Sequence, residues 1–174
     1  MARKVKQLSQ LDGASIKALS DSINSENSKG STLEWTCEAG EGWYRVAKIL
    51  RNRFTIWSVN TLNGGIHPSG ALFSTFGGPG CTLAQRIDLL SNATHNRGKS
   101  AFKSLRLVYI PSTQICYLDV YCYADISHHC YPTTRRVLEA ICGSYSDIAV
   151  MSIVDKIESL PDEAVVSMID NLSV

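Results

Sequence analysis

The two ends of this chain contain no aromatic residue and no cysteine. Every aromatic residue lies between Trp35 and Tyr145, and all six cysteines lie between Cys37 and Cys142. Aromatic side chains supply much of the buried area of a protein core, so neither end can build a core of its own. We therefore predict an N-terminal attachment arm and linker over 1–30, a core domain over 31–154 and a C-terminal acidic tail over 155–174.

Long apolar runs are missing as well, and the charge is almost balanced. No run of about 18 apolar residues occurs, which predicts no membrane insertion. The basic N-terminus lacks the apolar stretch of a secretory signal, so synthesis in the cytoplasm is expected. A net charge of +1 gives no reason to predict a nucleic-acid partner.

Catalytic and cofactor motifs are also lacking. The glycines of 77–80 fit neither the P-loop nor the dinucleotide fingerprint, and no cysteine belongs to a C-x-x-C pair or a nucleophile elbow. The one cluster of metal-capable side chains is Cys122, His128, His129 and Cys130, whose spacing matches no zinc site that we can assign. We predict no catalytic residue, no metal and no cofactor, and we interpret the cysteines as small buried hydrophobes.

What is present favours β-structure. Residues 42–50 and 54–59 are rich in aromatic and β-branched types, and a short polar break over 51–53 separates them, which predicts a hairpin. Several similar short runs follow, separated by turn residues. The predicted fold class is mainly β: an antiparallel β-sandwich with short helical segments at the N- and C-termini.

The segment Ile115–Tyr123 alternates strictly between two sets of side chains. Leu118, Val120 and Cys122 form the set that we expect to face the core. The other set is a candidate ligand-binding or interface face, made of Tyr117, Asp119, Tyr121 and Tyr123. Such a face can stack on a sugar ring, or another strand, sheet or subunit can cover it.

Both ends carry a narrow apolar stripe at helical spacing. Ile16, Leu19 and Ile23 form the N-terminal stripe, within a predicted helix from Ala14 to about Asn24. So short a helix needs a surface to lie on, either the chain's own domain or a particle or oligomer partner. The C-terminal tail is predicted to form an acidic helix, since residues 146–174 hold six acidic residues and one basic residue. The apolar face of that helix would be made of Val165, Met168, Ile169 and Leu172.

Three segments of the central region resemble strands of a known module. Gly42–Lys48 (GWYRVAK) resembles the first strand of a β-sandwich module found in bacteriophage fibre proteins and other virion appendages, including those of gut tailed phages such as the crAss-like group. Tyr117–Tyr123 (YLDVYCY) resembles a later strand of that module, and Leu105–Tyr109 resembles the strand before it. The resemblance covers roughly residues 38–125.

The resemblance implies a structural virion protein that docks on the particle through a terminal arm and displays its sandwich. A head fibre, a tail fibre or a capsid decoration would fit, since the long repetitive shaft of a full fibre is absent. It further implies a homotrimer, capsid or tail proteins as partners, synthesis in the bacterial host and residence in the virion. A carbohydrate-binding module that uses the tyrosine-lined face on a host-surface glycan is the alternative hypothesis.

Overall fold

The computed structural model of the protein describes residues 32–50, 53–62, 69–78, 85–94, 100–125, 130–142, 148–151 and 154–172. These residues form eleven strands and, within those ranges, no helix. The strands are β1 Thr32–Trp35, β2 Gly42–Ile49, β3 Arg53–Leu62, β4 Ser69–Gly77, β5 Arg86–Thr94, β6 Phe102–Ile110, β7 Ile115–Cys122, β8 Arg135–Cys142, β9 Ile148–Val150, β10 Lys156–Ile157 and β11 Val165–Ile169. A search of the described ranges for a helix able to cross a bilayer finds none.

The strands divide into two antiparallel sheets. Sheet A has the order β1-β8-β3-β4-β5, and sheet B has the order β10-β2-β7-β6-β11. Strand β9 also pairs with β2, beside the residues Ala47–Ile49, while β10 pairs with Trp43 and Tyr44. The two short strands β9 and β10 therefore share one edge of sheet B. The prediction of a mainly β, antiparallel two-sheet fold is confirmed.

One hydrophobic core lies between the sheets. Sheet A contributes Trp57 and Phe73, and sheet B contributes Leu107, Leu118 and Val120, all fully buried. The indole nitrogen of Trp57 donates to Thr75 Oγ1 at 2.9 Å, which satisfies the one polar group that this large side chain brings inside. The inward alternation predicted for β7 is confirmed.

The predicted hairpin between β2 and β3 is wrong. Both segments are strands, but β2 belongs to sheet B, where it pairs with β7, and β3 belongs to sheet A, where it pairs with β4 and β8. The chain therefore passes from sheet B to sheet A between Ile49 and Arg53. Residue type predicts that a segment is a strand, but it carries no information on the partner, which is chosen by long-range packing.

The predicted C-terminal helix is also wrong. Val165–Ile169 form β11, which pairs antiparallel with β6 from Val165↔Tyr109 to Ile169↔Leu105. Strand β6 would otherwise present an open edge of sheet B, and the β-branched residues of this segment suit a strand. Leu172, assigned to the helical face, is buried beyond the end of β11. The N-terminal helix, with Ile16, Leu19 and Ile23, lies outside the described residues.

Candidate functional site

The predicted face of β7 lies on the outer surface of sheet B. Register places Tyr121 opposite Trp43 of β2 and Asp119 opposite Arg45, while on the other side Asp119 lies opposite Arg106 of β6. Because directly opposed residues of an antiparallel pair project from the same face, the three strands bring these side chains together. Tyr123 follows directly after the end of β7.

Asp119 is fully buried although it projects away from the core. Arg45 holds it in a bidentate ion pair, with Nε 2.9 Å from Oδ1 and Nη2 3.2 Å from Oδ2. Arg106 adds a third contact, from its Nε to Oδ2 at 3.1 Å. A carboxylate can be removed from water only when charge and hydrogen bonds replace its hydration, and two guanidinium groups do so here.

Each arginine is in turn covered by an aromatic ring. The guanidinium carbon of Arg45 lies 3.9 Å from the centre of the Tyr117 ring, and that of Arg106 lies 3.9 Å from the centre of the Trp43 ring. We call these five residues, Trp43, Arg45, Arg106, Tyr117 and Asp119, the Asp119 cluster. It is a ring–cation–anion–cation–ring stack that runs across three strands, with a formal charge of +1.

The remaining tyrosines extend the cluster towards one end of the sheet. The Tyr121 ring meets the Trp43 ring edge-on at 5.3 Å between centroids, and the Tyr123 ring lies 6.1 Å from the Tyr121 ring. The Tyr121 hydroxyl donates to Glu41 Oε1 at 2.8 Å. Burial, followed by this bond to a carboxylate, raises the pKa of Tyr121 to about 12.

The electrostatics of the cluster do not favour proton transfer. Burial lowers the pKa of the Arg106 guanidinium, and the neighbouring Asp119 partly offsets that effect. Both carboxylate oxygens of Asp119 already accept hydrogen bonds from arginine, so neither is free to act as a general base. The arrangement can hold three strands together and present a surface of ring edges and arginines.

The sequence analysis missed Trp43, Arg45 and Arg106, which complete the cluster. Trp43 and Arg45 stand in the GWYR motif, so the signal was present, but nothing local connects them to Asp119. Arg45 and Asp119 are 74 positions apart, and only the β2–β7 register brings them together. The predicted face was therefore one strand of a site that spans three.

A second polar cluster lies inside the sandwich. Arg136 of β8 is fully buried; its Nη1 donates to the carbonyl oxygen of Thr134, and its Nη2 donates to the carbonyl oxygen of Tyr123 and to Cys130 Sγ at 2.9 Å. Cys37 and Cys122 are also fully buried, and they lie close enough to Arg136 for its positive charge to act on both thiols. We call Cys37, Cys122, Cys130 and Arg136 the thiol–arginine cluster.

Only the two cysteines of the metal-capable set lie within the described residues. Cys122 and Cys130 belong to the thiol–arginine cluster, and His128 and His129 lie outside the described residues. Among the residues that the structure describes, no three His, Cys, Asp or Glu side chains are arranged to hold a metal ion. The cation that the structure places beside the Cys130 sulfur is the guanidinium of Arg136.

The outer face of sheet A carries an exposed apolar band. Phe54 and Phe76 lie opposite each other and expose 52% and 40% of their surface, and Ile141 of β8 exposes 51%. Ile56 lies opposite Cys142 and two residues from Phe54, so the band lies at one end of the sheet. Large exposed apolar groups that are gathered in one region often mark a contact surface.

Comparison with known proteins gives no assignment: no family model matches the sequence, and no curated protein or solved structure matches the chain.

Proposed function

We propose that the protein is a structural component of a bacteriophage virion, a head or tail fibre or decoration protein that displays this β-sandwich on the particle. One observation carries the proposal. The two segments that resemble the virion-appendage module, Gly42–Lys48 and Tyr117–Tyr123, pair with each other as β2 and β7. Their most polar positions, Arg45 and Asp119, form the bidentate ion pair of the Asp119 cluster.

That pairing supports the resemblance because it gives the two motifs a shared physical role. The arginine of one and the aspartate of the other neutralise each other on the sheet surface, and the tryptophan and tyrosine rings cover the arginines. Opposite charges at directly opposed positions stabilise an antiparallel strand pair, and here that pair joins the two segments that carry the resemblance. The motifs are therefore best interpreted as parts of one structural module.

Attachment is assigned to the N-terminal arm. Strand β1 begins at Thr32, opposite Glu139, and β8 continues from there to Ile141 and Cys142, beside the apolar band. The arm thus joins the sandwich at the same end as Phe54, Phe76 and Ile141. Its stripe of Ile16, Leu19 and Ile23 supplies apolar side chains of the kind that such a band, on this or a neighbouring copy, would bury.

The proposal includes a homotrimer whose partners are capsid or tail proteins, assembled in the cytoplasm of the host bacterium. Multivalent display would convert weak contacts with a host surface into useful avidity.

The native mass of the full-length protein tests this proposal. We expect a trimer that dissociates when Leu19 and Ile23 are both replaced by Glu, because a charged stripe cannot be buried against an apolar surface. The control carries the same changes at exposed polar positions, Thr32→Glu and Asn60→Glu, and should remain assembled. A monomeric wild-type protein would contradict the fibre hypothesis. An assembly that stays intact in the Leu19→Glu/Ile23→Glu variant would contradict it as well.

A glycan-binding module is the second candidate, favoured by the row of aromatic rings at Trp43, Tyr121 and Tyr123. Sugar rings bind best to an open aromatic face, but the protein's own arginines stack on Trp43 and Tyr117. We expect glycan binding to depend on Tyr121 and Tyr123 if it occurs. Titration of neutral and acidic oligosaccharides against the wild type and Tyr123→Ala separates the two functions.

A further inference from the structure

The apolar band is confined to one end of the outer face of sheet A. Phe54 and Phe76 are opposed in the β3–β4 pair, and Ile141 belongs to β8, which pairs with β3 from the other side. Four residues along β3 from Phe54, the same face presents Ser58, which lies opposite the exposed Glu139. The band is therefore a patch about two strand spacings wide, or roughly 10 Å, with polar positions next to it on β3 and β8.

The band is exposed to water, although its side chains are of the core type. Phe54 and Ile141 each expose about half of their surface, whereas Phe73 and Leu138, on the inner face of the same sheet, are fully buried. The outer rings of sheet B differ from the band, because arginines of the same chain stack on them. Burial of the band would be favourable, so an apolar segment within reach is expected to bind there.

The N-terminal segment enters sheet A close to the band. Strand β1 begins at Thr32, which pairs with Glu139 of β8. Because β1 and β8 are antiparallel, the chain that precedes Thr32 approaches it from the direction of Ile141. Phe54 lies two strand spacings across the sheet and four residues along it from Thr32, which places it roughly 16 Å away.

The length of chain before Thr32 suits this distance. Residues 24–31 separate Ile23, the last residue of the N-terminal stripe, from Thr32. A Ser- and Asn-rich chain of that length is expected to span roughly 17 Å on average, and it cannot span more than about 30 Å. Binding within one chain is most favoured when the mean length of the linker matches the distance to be spanned. The stripe can therefore reach the band of its own copy.

The N-terminal stripe also has the dimensions of the band. Ile16, Leu19 and Ile23 cover seven residues, which is roughly 10 Å along a helix. A helix laid across β8, β3 and β4 would place these three side chains over the exposed apolar residues of the three strands. Asp21 lies on the opposite side of the predicted helix and would remain in water.

We propose that residues 14–24 fold back onto the apolar band of their own chain and cover it with the N-terminal stripe. The occupant is the same copy, because a linker of matching length gives it an effective concentration that a free partner does not reach. The docked arm adds a layer to the outer face of sheet A, and partner proteins meet that layer. Charge at Leu19 and Ile23 removes it, which agrees with the dissociation expected above. The docking itself goes beyond the proposed function and needs no virion role.

The test places the photocrosslinking amino acid p-benzoylphenylalanine at position 19 of the full-length protein. After irradiation, we expect crosslinks to peptides that contain Phe54, Phe76 or Ile141, in molecules that keep the mass of a single chain on a denaturing gel. The same probe at position 21, on the other side of the predicted helix, is the matched control and should not crosslink to sheet A. Crosslinks that join two chains would identify a second copy as the occupant and overturn the proposal. The absence of crosslinks to sheet A would overturn it as well.

Limited trypsin digestion supplies an independent measurement. Cleavage after Lys17 requires the arm to leave the band, so its rate follows the undocked population. Phe54→Ser/Phe76→Ser should speed this cleavage at least about tenfold, since each buried apolar side chain favours docking by about that factor. Val165→Ser/Val166→Ser is the matched control, because this pair is equally exposed but lies on sheet B. Equal rates in the wild type and the phenylalanine variant would contradict the docking.

Native mass, measured on the same samples, separates this inference from the proposed function. A monomer with intrachain crosslinks would support the docking and contradict the trimer. A trimer without crosslinks to sheet A would do the reverse. The probe at position 19 changes only the arm, so the crosslinking result decides the matter if a variant of the band fails to fold.

Discussion

Within the described residues, arginine side chains are withdrawn from solvent at two sites, and the cost is met in a different way at each. In the Asp119 cluster, Arg45 and Arg106 share a carboxylate and lie against aromatic rings. In the thiol–arginine cluster, Arg136 binds backbone carbonyl oxygens and a cysteine. The first arrangement balances charge with charge on the outer face of a sheet, and the second places a cation inside the core among dipoles and thiols.

The difference shows what each site can do. A stack in which arginines engage both oxygens of the carboxylate is well suited to hold strands in register. A cation whose described hydrogen-bond acceptors are uncharged can still stabilise a negative charge placed beside it. Stability is therefore the role expected of the outer cluster, whereas the inner cluster keeps a positive charge inside the core.

The largest effect is expected from Asp119→Asn. This change leaves the buried Arg106 and the partly buried Arg45 side by side without a counter-charge, which should lower the free energy of unfolding by about 3–5 kcal/mol. Urea unfolding at neutral pH measures the change. The matched control is Asp88→Asn, because the Arg86–Asp88 pair is largely exposed and should contribute about 0–1 kcal/mol. Equal effects at both positions would remove the distinction between a structural stack and an ordinary surface pair.

Arg136→Met should cost less, about 1–3 kcal/mol. The variant leaves the carbonyl oxygens of Thr134 and Tyr123 without their donor, but it also removes a cation from the core. Arg135→Met on the same strand is the control, since Arg135 pairs with Glu34 at the surface. A loss larger than that of Asp119→Asn would show that the inner arginine is the main structural element.

A smaller effect should appear only at alkaline pH. Burial raises the pKa of Tyr44 and Tyr121 above the ordinary value of 10.0, so the folded state keeps these protons longer than the unfolded state. Their stabilising contribution is complete below pH 10 and is lost as the pH rises, for Tyr121 through about 12. Urea unfolding between pH 9 and 12 should show a shallower decline for Tyr44→Phe than for Tyr131→Phe, an exposed control. Parallel declines would contradict the assignment.

The smallest effect is expected from Tyr117→Leu. This change removes the ring beneath Arg45 and keeps an apolar side chain, so the free energy of unfolding should fall by about 0.5–1 kcal/mol. Val166→Thr on β11, an exposed change on the same sheet, should have almost no effect. If Tyr117→Leu is also neutral, the rings cover the arginines without stabilising them.

The sequence predicted strands more reliably than it predicted partners. Alternation along β7 is local, and it correctly separated Leu118, Val120 and Cys122 from the tyrosine-lined face. The β2–β3 hairpin was wrong because neighbouring strands in sequence can belong to opposite sheets, and that choice depends on packing across the whole core. The C-terminal helix was wrong because a segment of five residues fits both periods, and the open edge of β6 decided between them.

The two clusters show the same limit: a local pattern can point to a residue, but it cannot identify its partners on other strands. Asp119 could be found from the sequence because it interrupts a row of tyrosines, but its two arginines come from β2 and β6, which only register connects. The burial of Arg136 is even harder to predict from the sequence, because an Arg135-Arg136 pair in a polar context predicts two exposed charges. One of the two is fully buried, because alternation along β8 turns adjacent residues to opposite faces of sheet A.

The two edges of sheet B can be paired only late in synthesis of the chain. Strands β2 and β6 are made early, but the strands that cover them, β9, β10 and β11, come from residues 148–169. During synthesis, β2, β7 and β6 can pair while both flanks still present unpaired backbone groups to other chains. A nascent chain thus exposes two unpaired strand edges until its final strands emerge. Copies synthesised side by side on one messenger RNA would meet while these edges are still open.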